Sequence, residues 1–325
     1  MNLQTNNFIE DLERWRDAYL NWMDTQDYSR NTLELYSRTI NQFIEYSLGY
    51  QDEMSLMDIR SNYFTGFVNY LEEEARLKGR KQNRDGKYLS KSTKDAYMKA
   101  IKGYFTYITD NNDELYTFDR YFRNIKQRDR SKQEEKMKYL TEDEIEKLLN
   151  TLEREKSKKD DYNSHRNSLL VKLMLYGGLR ISEALSVRIE DFGVGQDANM
   201  YLINIYGKGG KYQTAYIAKE AIEDELEYFK NVIGLKGDDI IMRTKNATQL
   251  DRVSASTIVN RIYLKAGIIK KGLHILRHTL AMRLTQRNVN PIVIKKILRH
   301  SNIATTTVYA KANHESVAGA LALVE

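Results

Sequence analysis

The sequence predicts a mainly α protein with one small antiparallel β-sheet, divided into two domains, and three observations carry that prediction. Apolar residues recur at three- and four-residue steps through most of the chain. A stretch around a Gly-Lys-Gly-Gly run alternates with period two instead. The length, 325 residues, exceeds what one hydrophobic core usually holds. A composition 41% hydrophobic and 30% charged, with a single Pro, is that of a folded helical protein and excludes collagen-like or disordered chains.

Phe8, Leu12, Trp15, Tyr19 and Trp22 define the first apolar stripe. Tyr36, Ile40, Phe43 and Ser47 define a second, which Gly49 stops. Tyr63, Phe67, Tyr70 and Leu71 form a third; Tyr97, Ile101, Tyr104, Phe105 and Ile108 form a fourth. Residues 1–120 therefore read as a four-helix domain, its aromatics at core spacing rather than on a base-stacking platform. Residues 121–138 are rich in charge and poor in apolar side chains, which marks a basic linker.

The second domain, 139–325, opens on Thr141 and Glu144, which fit a capping box. A helix over Ser168 to Tyr176 stops at Gly177-Gly178. MYLINIY and KYQTAYI flank Gly207-Lys208-Gly209-Gly210 and read as a β-hairpin with a glycine-rich turn. Helices over 219–232, 254–266 and 274–287 follow, then one opened by Asn290 as cap and Pro291 as its first residue.

The absence of cysteine removes disulfides, thiolate nucleophiles and Cys-ligated metal centres, and fits a reducing, cytoplasmic setting. The first residues are acidic and lack the apolar core of a signal peptide, and nowhere do about 18 apolar residues run uninterrupted. Membrane association is not expected. The net charge of +6 is unevenly spread. Residues 76–102 carry ten Lys/Arg against two acids, and 120–138 eight against three. Between Asp251 and Glu315 there are twelve Lys/Arg and no acid. Such segregation is the footprint of a surface that faces a polyanion. In the first of these segments Arg80, Lys81, Lys91 and Lys94 are the expected contacts to that polyanion.

Phosphate chemistry needs cationic donors on the non-bridging oxygens, a nucleophile, and a proton for the leaving oxygen. No spaced Asp/Glu set suits two-metal catalysis, and the acid-free stretch offers no carboxylate at all, so neither a metal nor a cofactor is expected. The glycine run at 207–210 lacks the pattern of a nucleotide-binding loop and precedes a strand, so ATP use is unsupported. His274 and His278 have the spacing of a helical zinc site, but Ile275 stands where that site needs its Glu, and Arg277 would repel a cation. Two histidines and an arginine in five residues point instead to an anion.

Gly178-Leu179-Arg180-Ile181-Ser182-Glu183-Ala184-Leu185, Gly207-Lys208-Gly209, His274-Ile275-Leu276-Arg277-His278-Thr279, Leu298-Arg299-His300-Ser301 and Thr306-Thr307-Val308-Tyr309 occur in that order. Together they resemble the signature of the tyrosine site-specific recombinases, the phage-integrase and Xer group, and within it the Xer or transposon-integrase forms. The resemblance covers 139–325; the helical N-terminal region is similar in kind to that family's SAM-like core-binding domain. It implies two domains forming a C-shaped clamp on DNA.

The resemblance further implies roles. Arg180 and Arg277 would clamp the scissile phosphate bidentately. Tyr309 would attack phosphorus, leaving a 3′-phosphotyrosine that rejoining reverses, on the way through a Holliday junction. Lys208 would give its proton to the departing 5′ oxygen, with Lys211 as rival or DNA contact. His274 would take the tyrosine proton, and His300 would hydrogen-bond a phosphate oxygen. Glu183 would position the site by holding a cation or histidine, with an internal salt bridge as the competing reading. Ile275 and Arg299 depart from the family, which often has a polar residue and Gly there; both are expected to alter packing and neither to carry chemistry. The implied partner is duplex DNA with inverted-repeat half-sites, bound by a homotetramer that exchanges C-terminal helices (AGALALV), with an accessory protein as a further partner. A type IB topoisomerase-like relaxing enzyme and a catalytically silent DNA-binding protein are the alternatives.

Overall fold

The computed structural model describes residues 1–5, 7–50, 54–83, 86–123, 139–195, 197–206 and 212–299. The chain divides into two compact units, Met1–Glu134 and Glu135–Glu325. Most of the expected linker, from residue 124 on, lies outside the described residues.

The first unit holds α1 (Phe8–Thr25), α2 (Arg30–Ser47), α3 (Ser61–Leu77), α4 (Lys91–Asn111) and the single turn α5 (Asp119–Phe122). Each of three helices begins where a short polar side chain accepts an otherwise unpaired amide: Asn7 from Glu10, Ser29 from Thr32, Ser90 from Thr93. The apolar stripes meet in one core, with Trp15, Phe43, Phe64, Phe67, Tyr104 and Phe105 fully buried. Phe43 is its hub, with ring centroids of Tyr63, Phe64, Phe67 and Phe105 5.1 to 6.1 Å away. The two buried polar handles are satisfied: the Tyr104 hydroxyl donates to the Leu12 carbonyl at 2.7 Å and the Trp15 indole to Leu3 at 3.1 Å. Trp22 departs from the expected stripe. It lies at the surface, 39% exposed, stacked on Tyr19.

The second unit opens with α6 (Glu142–Lys159), whose capping box closes with the Thr141 amide donating to Glu144 at 2.8 Å and the Glu144 amide to Thr141 at 3.2 Å. Helix α7 (Tyr162–Leu175) starts six residues earlier than expected, capped by Asp161, and is buried along its whole last two turns. The short α8 (Ile181–Ser186) follows. The sheet has three strands, not two: β1 (Phe192–Val194), β2 (Met200–Tyr206) and β3 (Tyr212–Ala218), antiparallel in that order. Ile203 and Ile205 of β2 and Ala215 and Ile217 of β3 face the core. Helix α9 (Lys219–Glu227) runs into a π-helical turn at Tyr228–Val232, and α10 (Arg252–Lys265), α11 (His274–Gln286) and α12 (Pro291–Leu298) complete the unit. Asn290 caps α12 as its sequence requires, accepting from the Ile292 amide at 2.8 Å. Among the described residues no helix is long and apolar enough to cross a membrane.

Candidate active site

The site is built on the turn between α7 and α8. A Cβ on Gly177 would lie 2.8 Å from the Leu173 carbonyl, and Gly178 has φ +59° with Leu280 and Leu298 packed against it. Only glycine fits both positions, and the tight reversal they allow places Arg180 immediately before α8. Glu183, one turn on, accepts from the Arg180 amide at 2.7 Å and so anchors the start of that helix.

Around Glu183 three arginines converge from three elements. Arg180 donates to it at 2.7 Å, Arg299 at 2.9 Å, and an Arg277 nitrogen stands 4.0 Å away. Backbone carbonyls complete the lattice. Gly178 accepts from both Arg277 and Arg299, Leu298 accepts from Arg277, and the Arg299 carbonyl accepts from Arg180 at 2.7 Å. The C-terminal end of α12, where helix carbonyls lack intrahelical partners, thus holds the guanidinium groups. Burial disfavours ionisation of Glu183, but the Arg180 amide and the guanidinium groups of Arg299 and Arg180 outweigh it and hold its carboxyl below the usual carboxylate range. Arg277 and the Arg299 side chain are buried, whereas the Arg180 side chain is 39% exposed and reaches solvent.

Arg299 was expected only to alter packing. It is instead a member of the network, and it sits at φ +53°, ψ +44° past the end of α12, a left-handed conformation that costs a non-glycine residue about 1–2 kcal/mol. Composition and spacing carry no sign of this; the signal was an arginine where glycine is the easy choice. Ile275 is buried in the core of the unit, and its carbonyl accepts from the Thr279 hydroxyl.

His274 is the first residue of α11 and faces solvent, with Arg252 3.4 Å from its Nε2. Protein atoms crowded round the ring, together with Arg252 and Arg277, push its pKa below the ordinary histidine value. His278, one turn on with ring centres 6.4 Å apart, is lowered by burial, then by His274 and Arg277. Both imidazoles are therefore neutral at pH 7, and a neutral ring can accept a proton.

Of the expected DNA contacts, Arg80, Lys81 and Lys91 are exposed. Lys94 is not: it is buried and ion-paired with Glu72, which also accepts from the Tyr88 amide at 2.8 Å, so this lysine ties α4 to α3 rather than meeting a ligand. Lys208, Lys211, His300, Tyr309 and the AGALALV segment lie outside the described residues. The structure thus brings together Arg180, Glu183 and Arg277, with His274 on the same helix as Arg277. What the arrangement can do is hold an anion: one carboxylate stands against three guanidinium groups, with an exposed arginine and a neutral histidine at its edge.

Residues 138–316 match the model of the phage integrase family, and residues 11–112 match the phage integrase SAM-like domain. The chain is 28% identical over 234 residues to the tyrosine recombinase XerH of Campylobacter jejuni, a match that covers 70% of this chain and 64% of that protein, a little under two thirds of its length. It is 29% identical over 247 residues to XerH of Helicobacter pylori, covering 73% and 67%. The crystal structure of XerH bound to palindromic difH substrate, a post-cleavage complex, has the same fold, with a TM-score of 0.80 at 22% identity over 98% of each chain.

Proposed function

Because the chain belongs to the phage integrase family, we propose that it is a site-specific DNA recombinase that breaks and rejoins DNA through a covalent phosphotyrosine. The observation that carries this reading is the pairing of Arg180 and Arg277 in one hydrogen-bonded lattice around Glu183 and the end of α12. Two guanidinium groups fixed by backbone carbonyls need no reorganisation when charge builds up on a phosphate, which is where preorganised donors lower a barrier most.

In this reading Tyr309 attacks phosphorus, its proton passing to His274, while the bond from phosphorus to the 5′ oxygen breaks. Lys208 supplies the proton that the 5′ oxygen takes. The phosphodiester energy is kept in the tyrosyl ester, so attack by a 5′ hydroxyl of the partner strand rejoins DNA without ATP. His300 would share the phosphate oxygens with the arginines, and no step requires a metal ion. XerH was crystallised on a palindromic substrate. A DNA site of inverted half-sites, bound by four copies that exchange their C-terminal segments, is the matching partner for this chain. The basic segment at 76–102, with Arg80, Lys81 and Lys91 exposed, and Lys211 supply contacts to the DNA backbone.

The test is a nicked suicide duplex that carries the recognised site. The wild-type chain is expected to form a denaturation-resistant protein–DNA adduct in the presence of a chelator, and Tyr309→Phe to form none while binding the same duplex with near-normal affinity. An adduct in Tyr309→Phe, or dependence on magnesium, removes the proposed mechanism; relaxation of plasmids without a specific site points to a topoisomerase instead.

A further inference from the structure

We propose that Arg299 is a positioning residue for the phosphate-binding pair: its guanidinium locks Glu183 against the Gly178 carbonyl, fixes Arg180 and Arg277 through those two groups, and adds a third positive charge behind the scissile phosphate. The proposal rests on the role given above to Arg180 and Arg277.

Three features argue for it. The first is conformational. Arg299 occupies a backbone geometry that glycine adopts freely and L-residues avoid, so its side chain is retained there against a local penalty. The second is connectivity. One Arg299 nitrogen donates to Gly178 at 3.1 Å and to Glu183 at 2.9 Å, and the other donates to Ile297 at 3.0 Å. Gly178 is the carbonyl that Arg277 uses, and Glu183 is the carboxylate that Arg180 uses. Arg299 therefore shares an acceptor group with each member of the pair, and its own carbonyl holds Arg180 directly. The third is charge. Facing Glu183 are Arg180 from its own helix, Arg277 from α11 and Arg299 from the end of α12, with His274 and His278 next to Arg277. With glycine at 299 one carboxylate would offset half of a two-arginine pocket. With arginine the pocket keeps two positive charges in excess, which favours the added negative charge of a five-coordinate phosphorus.

The decisive variants are Arg299→Gly and Arg299→Lys. Glycine removes the guanidinium while easing the backbone, so Arg299→Gly is expected to unfold at or above the wild-type temperature and to bind the duplex normally. Its single-turnover rate of adduct formation on the nicked substrate should fall on the order of tenfold to hundredfold, the cost of a slightly misplaced clamp. Arg299→Lys should recover part of that loss, because a point charge can hold Glu183 or Gly178 but not both. The acid limb of the pH–rate profile should move to higher pH in Arg299→Gly, since Glu183 loses a partner that favours its ionised form. A wild-type rate with an unmoved acid limb in Arg299→Gly overturns the proposal. Absence of any adduct in the wild-type chain overturns the recombinase reading instead. A carbon-13 titration of the Glu183 carboxyl without DNA separates the two: a higher midpoint in Arg299→Gly supports the lock, and an unchanged midpoint sinks it whatever the wild type does.

Discussion

Among its described residues the second unit buries two glutamates, and what surrounds each is different. Glu225 on α9 is fully buried and accepts from Ser168 at 2.6 Å, Lys172 at 2.6 Å and Lys156 at 3.0 Å. Lys156 also pairs with Glu153 and Asp224, and Lys172 with Glu153, so this cluster carries three acids against two bases. Glu183 stands alone against three arginines. The first cluster closes on itself and clips α6, α7 and α9 together. The second is left short of negative charge and opens to solvent at Arg180. Buried ion clusters in one domain can thus be told apart by the sign of their excess charge: one whose acids outnumber its bases is architecture, and one left with guanidinium groups in excess is waiting for an anion.

Removing the hub of the acid-rich cluster is expected to have the largest effect on stability. Glu225→Leu leaves Lys156 and Lys172 buried beside an apolar side chain, and such loss of one partner costs about 3–5 kcal/mol. The lower end is expected, because Glu153 and Asp224 remain. Urea unfolding of the full chain measures it, and adding Lys172→Met should regain part of the loss. A Glu225→Leu chain as stable as wild type would remove the cluster from the architecture.

The arginine-rich cluster should respond in activity and not in stability. Arg180→Lys keeps the charge but cannot give parallel donors to Glu183 and the Arg299 carbonyl while engaging phosphate. Adduct formation is expected to fall on the order of 100-fold, the scale for removing one preorganised donor, with little change in unfolding. A wild-type cleavage rate from Arg180→Lys would break the contrast between the two clusters.

Much of this was legible in the sequence, and the failures share a cause. Stripes such as Tyr97, Ile101, Tyr104, Phe105 and Ile108 gave their helix because a half-buried helix must repeat near 3.6 residues, and Asn290-Pro291 marked α12 because caps are local chemistry. Where burial is complete or the element is short, periodicity has nothing to report. Helix α7, buried over Leu169–Leu175 on every side, hid its start at Tyr162, and the three residues of β1 are too few to alternate. The π-helical turn after α9 lies where Tyr228 stacks on His165 at 3.6 Å, a tertiary contact. In the site, Arg180 and Arg277 could be read from ordered motifs. Arg299 could not, because its role depends on a left-handed backbone that aims its side chain at Glu183. Lys94 failed for the converse reason: a run of basic residues shows charge, not which member turns inward to Glu72.

The smallest expected effect is a slope. Both glutamates have carboxyls held below the usual carboxylate range. For Glu225 burial opposes this, and Lys172, Ser168 and Lys156 more than offset it. A group whose folded pKa is depressed stabilises the fold above its unfolded value, about 4.3 for glutamate, and that stabilisation is lost as pH falls through the folded value. Unfolding free energy should therefore decline below about pH 5, each such group steepening it by at most about 1.4 kcal/mol per pH unit. Glu225→Gln removes one of them and should flatten the acid branch by up to that amount, while leaving the acid limb of strand cleavage where it is, since Glu225 touches none of the three arginines around Glu183. Parallel stability curves for wild type and Glu225→Gln between pH 3 and 6 would mean that Glu225 takes up its proton as readily folded as unfolded. A shifted cleavage limb would mean that the two clusters are one electrostatic system, and the distinction between acid excess and arginine excess would no longer locate the site.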